Sequence, residues 1–220
     1  MNYTFRYDVI WRNLDHLFFG LWIDVYMAVI AIALGTLIGL VVAFSYFSKN
    51  RVIRGLASWY VTIIRNIPLM IVVLFIYFGL PDVGFTFAEI PSFVFALTLY
   101  AGSYIAEVFR GGLQAIHKGL DEAGMALGMS HWQIVAFIKI PILFRTVMPA
   151  LGSNYISLFK DGSVATVIAV PELTFQTRRI NLESFRTLEA WTFTAAVYIV
   201  VVFIIAGLLR LVERKVRIPK

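Results

Sequence analysis

The chain has 220 residues, 60% hydrophobic and 15% charged, with a formal net charge of +6 and a mean hydropathy of +0.82. A soluble domain carries about 25% charged residues, so water is not the main solvent here, and basic charge clustered between apolar runs argues for a membrane and against nucleic acid. Cysteine is absent, which excludes disulfides and thiolate metal sites; no Gly-x-x-x-x-Gly-Lys-Ser/Thr pattern occurs, which excludes a conventional P-loop ATPase within the chain.

Residues 1–19 mix charges with Phe5, Tyr7, Trp11, Leu14, Phe18 and Phe19. That mixture predicts an amphipathic segment lying at the membrane interface, with a poorly ordered lead-in as the alternative. A cleavable signal peptide does not fit, because the apolar run that follows is too long and no small-x-small site ends it. Leu21 to Phe47 is the first predicted span, longer than the roughly 20 residues a bilayer needs. Within it, Gly35 and Gly39 are spaced for close helix contact, although glycine is also common in membrane helices without such a role.

Lys49, Arg51 and Arg54 form a short basic loop, and Trp59 to Leu80 is the second predicted span, with Arg65 and Pro68 near its start. Pro68 removes one backbone donor and predicts a kink. Leu80 to Pro91 carries Asp82 and Glu89 and no basic residue; Pro91 to Val108 is the third span. Glu107 near its end is placed to pair with Arg110, one turn on. Residues 110–141 form a polar loop, and Ile142 to Val170 the fourth span, interrupted by Lys160 and Asp161. Glu172 to Glu189 is a polar connection with Arg178, Arg179 and Arg186; Ala190 to Val212 is the fifth span; residues 213–220 are a basic tail.

The expected fold is therefore an all-α membrane protein with a transmembrane domain over residues 20–212. Five spans put the two termini on opposite sides. The basic loop, the polar loop and the basic tail share one side, which the positive-inside rule makes cytoplasmic. The amino terminus is then outside and the carboxyl terminus cytoplasmic. The acidic loop falls outside, in agreement; the connection with three arginines also falls outside, against the rule.

The polar loop holds the most legible local pattern, from Asp121 to Pro141. Asp121 and Glu122 suit the positive end of a helix dipole, and Ala123 and Ala126 keep that helix thin. Gly128 suits the left-handed residue that ends a helix. Ser130 and Gln133 then have the capping-box spacing that starts another. The loop reads as two short helices meeting at a corner, small enough for another protein to grip. An ordinary solvated linker has no reason to carry both caps and the break.

Glu122-Ala123, with Gly128 following and Ile140-Pro141 at the far end, resembles the EAA loop of ABC importer membrane subunits. The segments Tyr104 to Gly112, Ile156 to Ser163 and Val170 to Leu173 are similar to the polar amino acid uptake branch of that family, and Arg65-Asn66-Ile67-Pro68 resembles its Arg-Gly-Thr-Pro element. The likeness covers roughly residues 20–212. Gly124 stands where a second Ala is common, His117 replaces a frequent Pro, Asn66-Ile67 replace Gly-Thr, and Gly162 replaces a hydroxyl residue.

The resemblance implies a permease subunit in a bacterial inner membrane that moves polar amino acids inward by alternating access. Two cytoplasmic ATPase subunits would bind the loops at Asp121, Glu122, Ala123, Gly124, Ala126, Leu127 and Gly128. ATP and Mg would reside in those partners, and no cofactor in this chain. A second permease subunit, the same or homologous, would complete the path among the membrane lipids, and an extracytoplasmic substrate-binding protein would deliver the amino acid.

The resemblance also implies that the stretch around Lys160, Asp161 and Ser163 faces the translocation path. A charge at mid-membrane costs about 2.5–3.5 kcal/mol on insertion scales, so each of these residues needs a partner or a wet cavity. Adjacent residues point about 100° apart on a helix, so Lys160 and Asp161 do not share one face. Either they contact a zwitterionic substrate, or Lys160 snorkels outward and Asp161 pairs with an outer arginine. Arg65, with Asn66 and Pro68 beside it, has the same two readings: a partner for a substrate carboxylate, or an anchor paired with a neighbouring acid.

His16, His117 and His131 have no metal-binding spacing, and no catalytic constellation stands out, so the chain is read as no enzyme and as holding no metal. The rival reading is an ion-gradient-driven secondary carrier or channel. It would explain charges in the membrane, but it leaves the capped elbow unexplained, and the chain is short for two inverted repeats.

Overall fold

The computed structural model describes residues 3–216, and every regular element among them is helical. In chain order these are α1 (Asp8–Trp11), α2 (Leu14–Ser45), α3 (Arg51–Asn66), α4 (Leu69–Leu74), α5 (Glu89–Ala115), α6 (Gly119–Ala126), α7 (His131–Gln133), α8 (Ile140–Asp161), α9 (Leu173–Ser184) and α10 (Thr187–Val216). A π-helical turn (Phe75–Gly79) and a 3-10 turn (Leu80–Val83) extend α4, a π segment (Ile134–Lys139) joins α7 to α8, and a 3-10 segment (Gly162–Ile168) follows α8.

Four helices are long and apolar enough to cross a membrane: Leu14–Ser45, Glu89–Ala115, His131–Ile168 and Thr187–Lys215. A fifth span exists only if the pair Arg51–Asn66 and Leu69–Val83, bent by 106°, counts as one. The expected second span from Trp59 to Leu80 therefore falls on this bent pair and not on one continuous helix. The Asn50 side chain caps α3 by accepting from the Val52 N–H at 2.8 Å, so Arg51 and Arg54 lie on a helix and not in a loop. At the other end Ile67 and Pro68 are both extended (ψ 131° and 137°). Proline excludes the helical conformation from the residue before it, and the chain breaks rather than kinks.

Other boundaries shift for similar reasons. Residues 1–2 of the predicted interfacial segment 1–19 lie outside the described residues; the rest holds one helical turn, α1, and the start of α2, which already contains Leu14, Phe18 and Phe19. Residues before α1 are tied to the far end of the chain: the Arg6 N–H donates to Glu189 Oε1 at 2.9 Å, and Arg186 donates to the Thr4 carbonyl at 3.1 Å. Helix α5 runs on to Ala115, so Arg110 belongs to it and the polar loop begins at Ile116. The supposed polar connection Glu172 to Glu189 contains α9, whose Leu173, Thr177 and Ile180 are buried. The basic tail begins as the last turns of α10; residues 217–220 lie outside the described residues.

Helix α5 is the centre of the bundle. Phe93, Leu97, Ala101, Ile105 and Phe109, along its length, are fully buried. Helix α2 lies against it at very short range, which is what the Gly35–Gly39 spacing anticipates. A Cβ on Gly35 would stand 2.6 Å from Ala101 Cβ, and one on Gly39 2.8 Å from Ile105 Cγ2. On the other side, Gly112 of α5 leaves room for Val147 of α8, whose Cγ1 would lie 2.2 Å from an added Cβ. A membrane offers little hydrophobic gain for joining helices, so close van der Waals contact through small residues carries the association. Outermost is α10, with Ile199, Val200, Phe203, Ile204, Leu208 and Leu211 exposed.

Candidate coupling elbow and polar cleft

The elbow between α5 and α8 is built from two local rules. Helix α6 ends in a Schellman motif: Met129 N–H donates to the Gly124 carbonyl at 3.0 Å, and Gly128 N–H to the Met125 carbonyl at 2.9 Å. This arrangement needs a left-handed residue, and Gly128 supplies it with φ +75°. The next helix starts in a complete capping box. Ser130 N–H donates to Gln133 Oε1 at 2.7 Å, and Gln133 N–H to Ser130 Oγ at 3.4 Å. The second helix is not separate, however. It passes through the π segment into α8, so span four begins at the corner itself.

The residues expected to grip a partner divide into two sets. Glu122, Ala123, Ala126, Leu127 and Gly128 are exposed. Met125, Trp132 and Phe137 add apolar surface beside them, at 61%, 78% and 72% exposure. Asp121 and Gly124 face the other way, toward the start of span four. Asp121 Oδ2 lies 2.8 Å from Lys139 Nζ at the end of the π segment. Gly124 is buried, and a Cβ on it would stand 2.8 Å from Ile134 Cγ1. These two residues hold α6 onto the beginning of span four. An ion pair and a close glycine contact, one turn apart on the same face of the helix, restrict both rotation and sliding.

Arg65 and Asn66 end α3 beside a polar cleft of about 360 Å³, lined also by Tyr46, Val61, Thr62, Tyr104 and Glu107. Arg65 lies 3.5 Å from Glu107 Oε2, with its guanidinium 5.1 Å from the Tyr104 ring centroid. Glu107 takes a two-pronged contact from Arg110, with both N–H···O distances at 2.8 Å. The pairing of Glu107 with Arg110 is therefore present, and Arg65 joins it. Of the two guanidinium groups on this carboxylate, Arg65 lines the cleft and Arg110 does not. Pro68 lies at the α3–α4 break and does not line the cleft.

Lys160, Asp161 and Ser163 lie where α8 passes into the 3-10 segment, outside the residues that line this cleft. Lys160 is exposed, Asp161 half-buried, and the Ser163 hydroxyl donates to the Lys160 carbonyl at 2.9 Å. Tyr100 donates to the Tyr104 hydroxyl at 3.1 Å, beside the cleft.

Sequence reasoning missed Asp24 and Glu172, both fully buried. The Leu173 N–H and the Tyr198 O–H donate to Asp24 Oδ2 at 3.3 and 3.2 Å. Glu172 caps α9, accepting from Thr174 N–H at 2.6 Å and Phe175 N–H at 2.7 Å. The signal for Asp24 was present: an ionisable residue inside an apolar run is a functional candidate by position alone.

The chain matches the family model described as binding-protein-dependent transport system inner membrane component over residues 35–218. It is 35% identical over 217 residues to the glutamine transport system permease protein GlnP of Escherichia coli (strain K12), covering 97% of this chain and 99% of that one. It is 29% identical over 199 residues to the arginine transport system permease protein ArtQ of Bacillus subtilis (strain 168), covering 90% and 91%. Among solved structures, a chain described as an amino acid ABC transporter with histidines superimposes with a TM-score of 0.88 at 31% identity, covering 97% of this chain and 100% of that one. An inward-facing MetNI methionine ABC transporter shares the fold, with a TM-score of 0.79 at 22% identity and coverage of 93% and 98%.

Proposed function

The chain belongs to the family of binding-protein-dependent transport system inner membrane components, and from that premise we propose how it works. It is the transmembrane subunit of an ATP-driven importer of amino acids, a multi-pass protein of the inner membrane. The elbow of α6 and α7 is the handle through which cytoplasmic ATPase subunits move the spans. The carboxyl terminus and the elbow face the cytoplasm; the amino terminus faces outward. ATP and Mg act in two partner ATPase subunits, a second permease subunit completes the path, and an external binding protein delivers a polar amino acid.

One observation carries this reading: α6 is capped at its far end, braced inward by Asp121 and Gly124, and bare on the opposite face. A lever must neither unwind nor slide when pushed. The exposed face offers Ala123 and Ala126 for close approach, Glu122 for a basic partner, and Met125 and Leu127 for apolar contact. Closure of the ATPase pair would carry the two elbows together. Because span four begins within the elbow, α8 would follow the motion, and through the Gly112–Val147 contact α5 would follow α8. Substrate would pass the cleft at Arg65 and Asn66, where the Arg65 guanidinium suits an amino acid carboxylate, and then the Asp161 region. A zwitterion leaving water needs both signs of charge, and these two clusters supply them. Lys160 and Ser163 border that route.

The chain has no cysteine, which makes a site-directed test clean. Leu127→Cys, introduced alone, should be labelled by membrane-impermeant thiol reagents in inside-out vesicles and not in right-side-out ones, and the ATPase subunits should protect it. Labelling from the outside would overturn both orientation and handle. Uptake into vesicles should follow internal ATP; uptake driven by a proton or sodium gradient alone would favour a secondary carrier.

A further inference from the structure

Helix α3 has three distinct sides. Val52, Leu56 and Trp59 are 67%, 61% and 65% exposed; with the half-buried Ile63 they recur every three or four residues and make one apolar stripe along the helix. Arg51, Arg54, Ser58 and Thr62 are exposed with the same spacing and form a polar stripe roughly 120° round the axis from the first. Ala57 and Val61, on the third side, are buried. The Tyr60 hydroxyl reaches back into the bundle and donates to the Leu99 carbonyl at 2.6 Å.

The direction of α3 decides what the apolar stripe meets. Helix α4 and its π-helical turn both pack on α5 and so follow the central helix. Helix α3 is bent 106° from that line and therefore lies across the bundle, close to a right angle. It also stays at one end. Arg54 Nη1 donates to the Ser48 carbonyl at 3.3 Å, and Val61, Thr62 and Asn66 share the polar cleft with Tyr46. Both halves of α3 thus stand beside the residues just past the end of α2, which a helix crossing back along α2 would leave behind. Lys49, Arg51 and Arg54 are exposed and take part in no ion pair among the described residues. Neighbouring cations, a polar stripe, and an apolar stripe that includes a tryptophan are the composition of a helix lying in the headgroup region, the depth that tryptophan favours.

We infer that α3 lies in the plane of the membrane surface and not across it, with Val52, Leu56, Trp59 and Ile63 dipped into the leaflet and Lys49, Arg51 and Arg54 on the phosphates of anionic phospholipids. Leu69 to Pro81, which carries no charged residue, then makes the second crossing alone, and a bilayer accommodates so short a span by local thinning. Opposite charge selects the lipid: each cation near an anionic surface is worth roughly a fivefold preference, which a zwitterionic headgroup does not supply. The far end of the same helix carries Arg65, 3.5 Å from Glu107 at the cleft. Lipid therefore holds one end of the element whose other end meets that pair.

The test needs no transport and is independent of the importer reading. The chain has no cysteine, so a nitroxide label is placed singly through Val52→Cys, Leu56→Cys, Trp59→Cys or Ser58→Cys in the transporter complex, with cysteine-free ATPase subunits, in lipid nanodiscs. Accessibility to oxygen and to a water-soluble nickel chelate gives the depth of each label. Labels at Val52, Leu56 and Trp59 should favour oxygen and share one depth, and the label at Ser58 should favour the nickel reagent. A depth that grows steadily, by about 10 Å from Val52 to Trp59, would make α3 half of a span and overturn the inference. So would labels shielded from both reagents, since a second permease subunit would then cover the stripe. For the headgroup, a fluorophore attached through Val52→Cys is quenched by brominated phosphatidylglycerol or brominated phosphatidylcholine. Phosphatidylglycerol should be preferred, less so in high salt, with roughly a fivefold loss of preference for each charge removed in Arg51→Gln and in Arg51→Gln with Arg54→Gln. Equal quenching by the two lipids with all three cations in place would overturn the anionic site. Should the charge variants fail to assemble, the salt dependence at native charge decides the matter: a preference that salt does not reduce refutes it.

Discussion

Lys139 Nζ and Asp121 Oδ2 lie 2.8 Å apart and join the first turn of α6 to the residue that leads into α8. The pair spans the elbow on its inner side, with side chains 22% and 35% exposed. A half-exposed pair of this kind contributes up to about 1 kcal/mol to stability, too little to hold a fold and enough to set the stiffness of a lever. Asp121→Asn or Lys139→Met should therefore leave the protein assembled and raise the number of ATP molecules hydrolysed per amino acid imported. The exchange Asp121→Lys with Lys139→Asp should recover part of the coupling. Reconstituted proteoliposomes with both readouts decide this; unchanged coupling in every variant would remove the lever role from the pair.

Gly124 and Gly128 are both small for reasons that differ. An added Cβ at Gly124 meets Ile134 Cγ1 at 2.8 Å, whereas at Gly128 nothing lies within 4 Å and only the backbone, at φ +75°, objects. Gly124→Ala should push α6 off span four, weaken capture of the ATPase subunits, and be relieved by Ile134→Ala, which removes Cγ1 as well as Cδ1. Gly128→Ala should cost about 1–2 kcal/mol of left-handed strain with no rescue from any neighbour. Pull-down of co-expressed ATPase from the single and double variants separates the two mechanisms.

Gly20 and Gly55 form a contrasting pair. A Cβ on Gly20 would stand 2.8 Å from backbone atoms of Glu172 and Leu173, which do not yield, while one on Gly55 meets open space within α3. Gly20→Ala should destabilise by about 1–3 kcal/mol, as overpacking does. Gly55→Ala should stabilise by up to about 1 kcal/mol, because alanine has the higher helix propensity. Thermal midpoints followed by tryptophan fluorescence are expected to move in opposite directions.

Glu107 and Arg65 test the cleft. Removing the Glu107 charge leaves Arg110 without a two-pronged partner, and hydrogen bonds to charged groups are worth about 1.5–3 kcal/mol. Glu107→Gln should thus lower the thermal midpoint clearly. Arg65 makes a longer contact of 3.5 Å and is 40% exposed. Arg65→Gln should raise KM for uptake severalfold with the midpoint nearly unchanged. The opposite split, a lowered midpoint and an unaltered KM, would make Arg65 a structural anchor.

Legibility in the sequence followed the range of the interactions. The capping box at Ser130 and Gln133, the left-handed Gly128 and the pairing of Glu107 with Arg110 are decided within one or two turns, so residue types and spacing suffice. The apolar runs at α2, α5, α8 and α10 were readable because a bilayer imposes a length and a composition. The α3–α4 break was half readable. Pro68 marked its place, but the cap at Asn50 that makes α3 a separate helix was overlooked.

What the sequence determined by itself was the membrane class, the four long apolar helices and the local caps of the elbow, since each depends on neighbours along the chain or on the solvent. Tertiary structure alone decided which side of α6 faces inward, that α9 is a buried helix, and that Asp24 meets Leu173 and Tyr198 across 149 and 174 residues. Those contacts arise from packing helices in three dimensions, where partners are chosen by shape and by unsatisfied polar groups, and no local pattern records the choice.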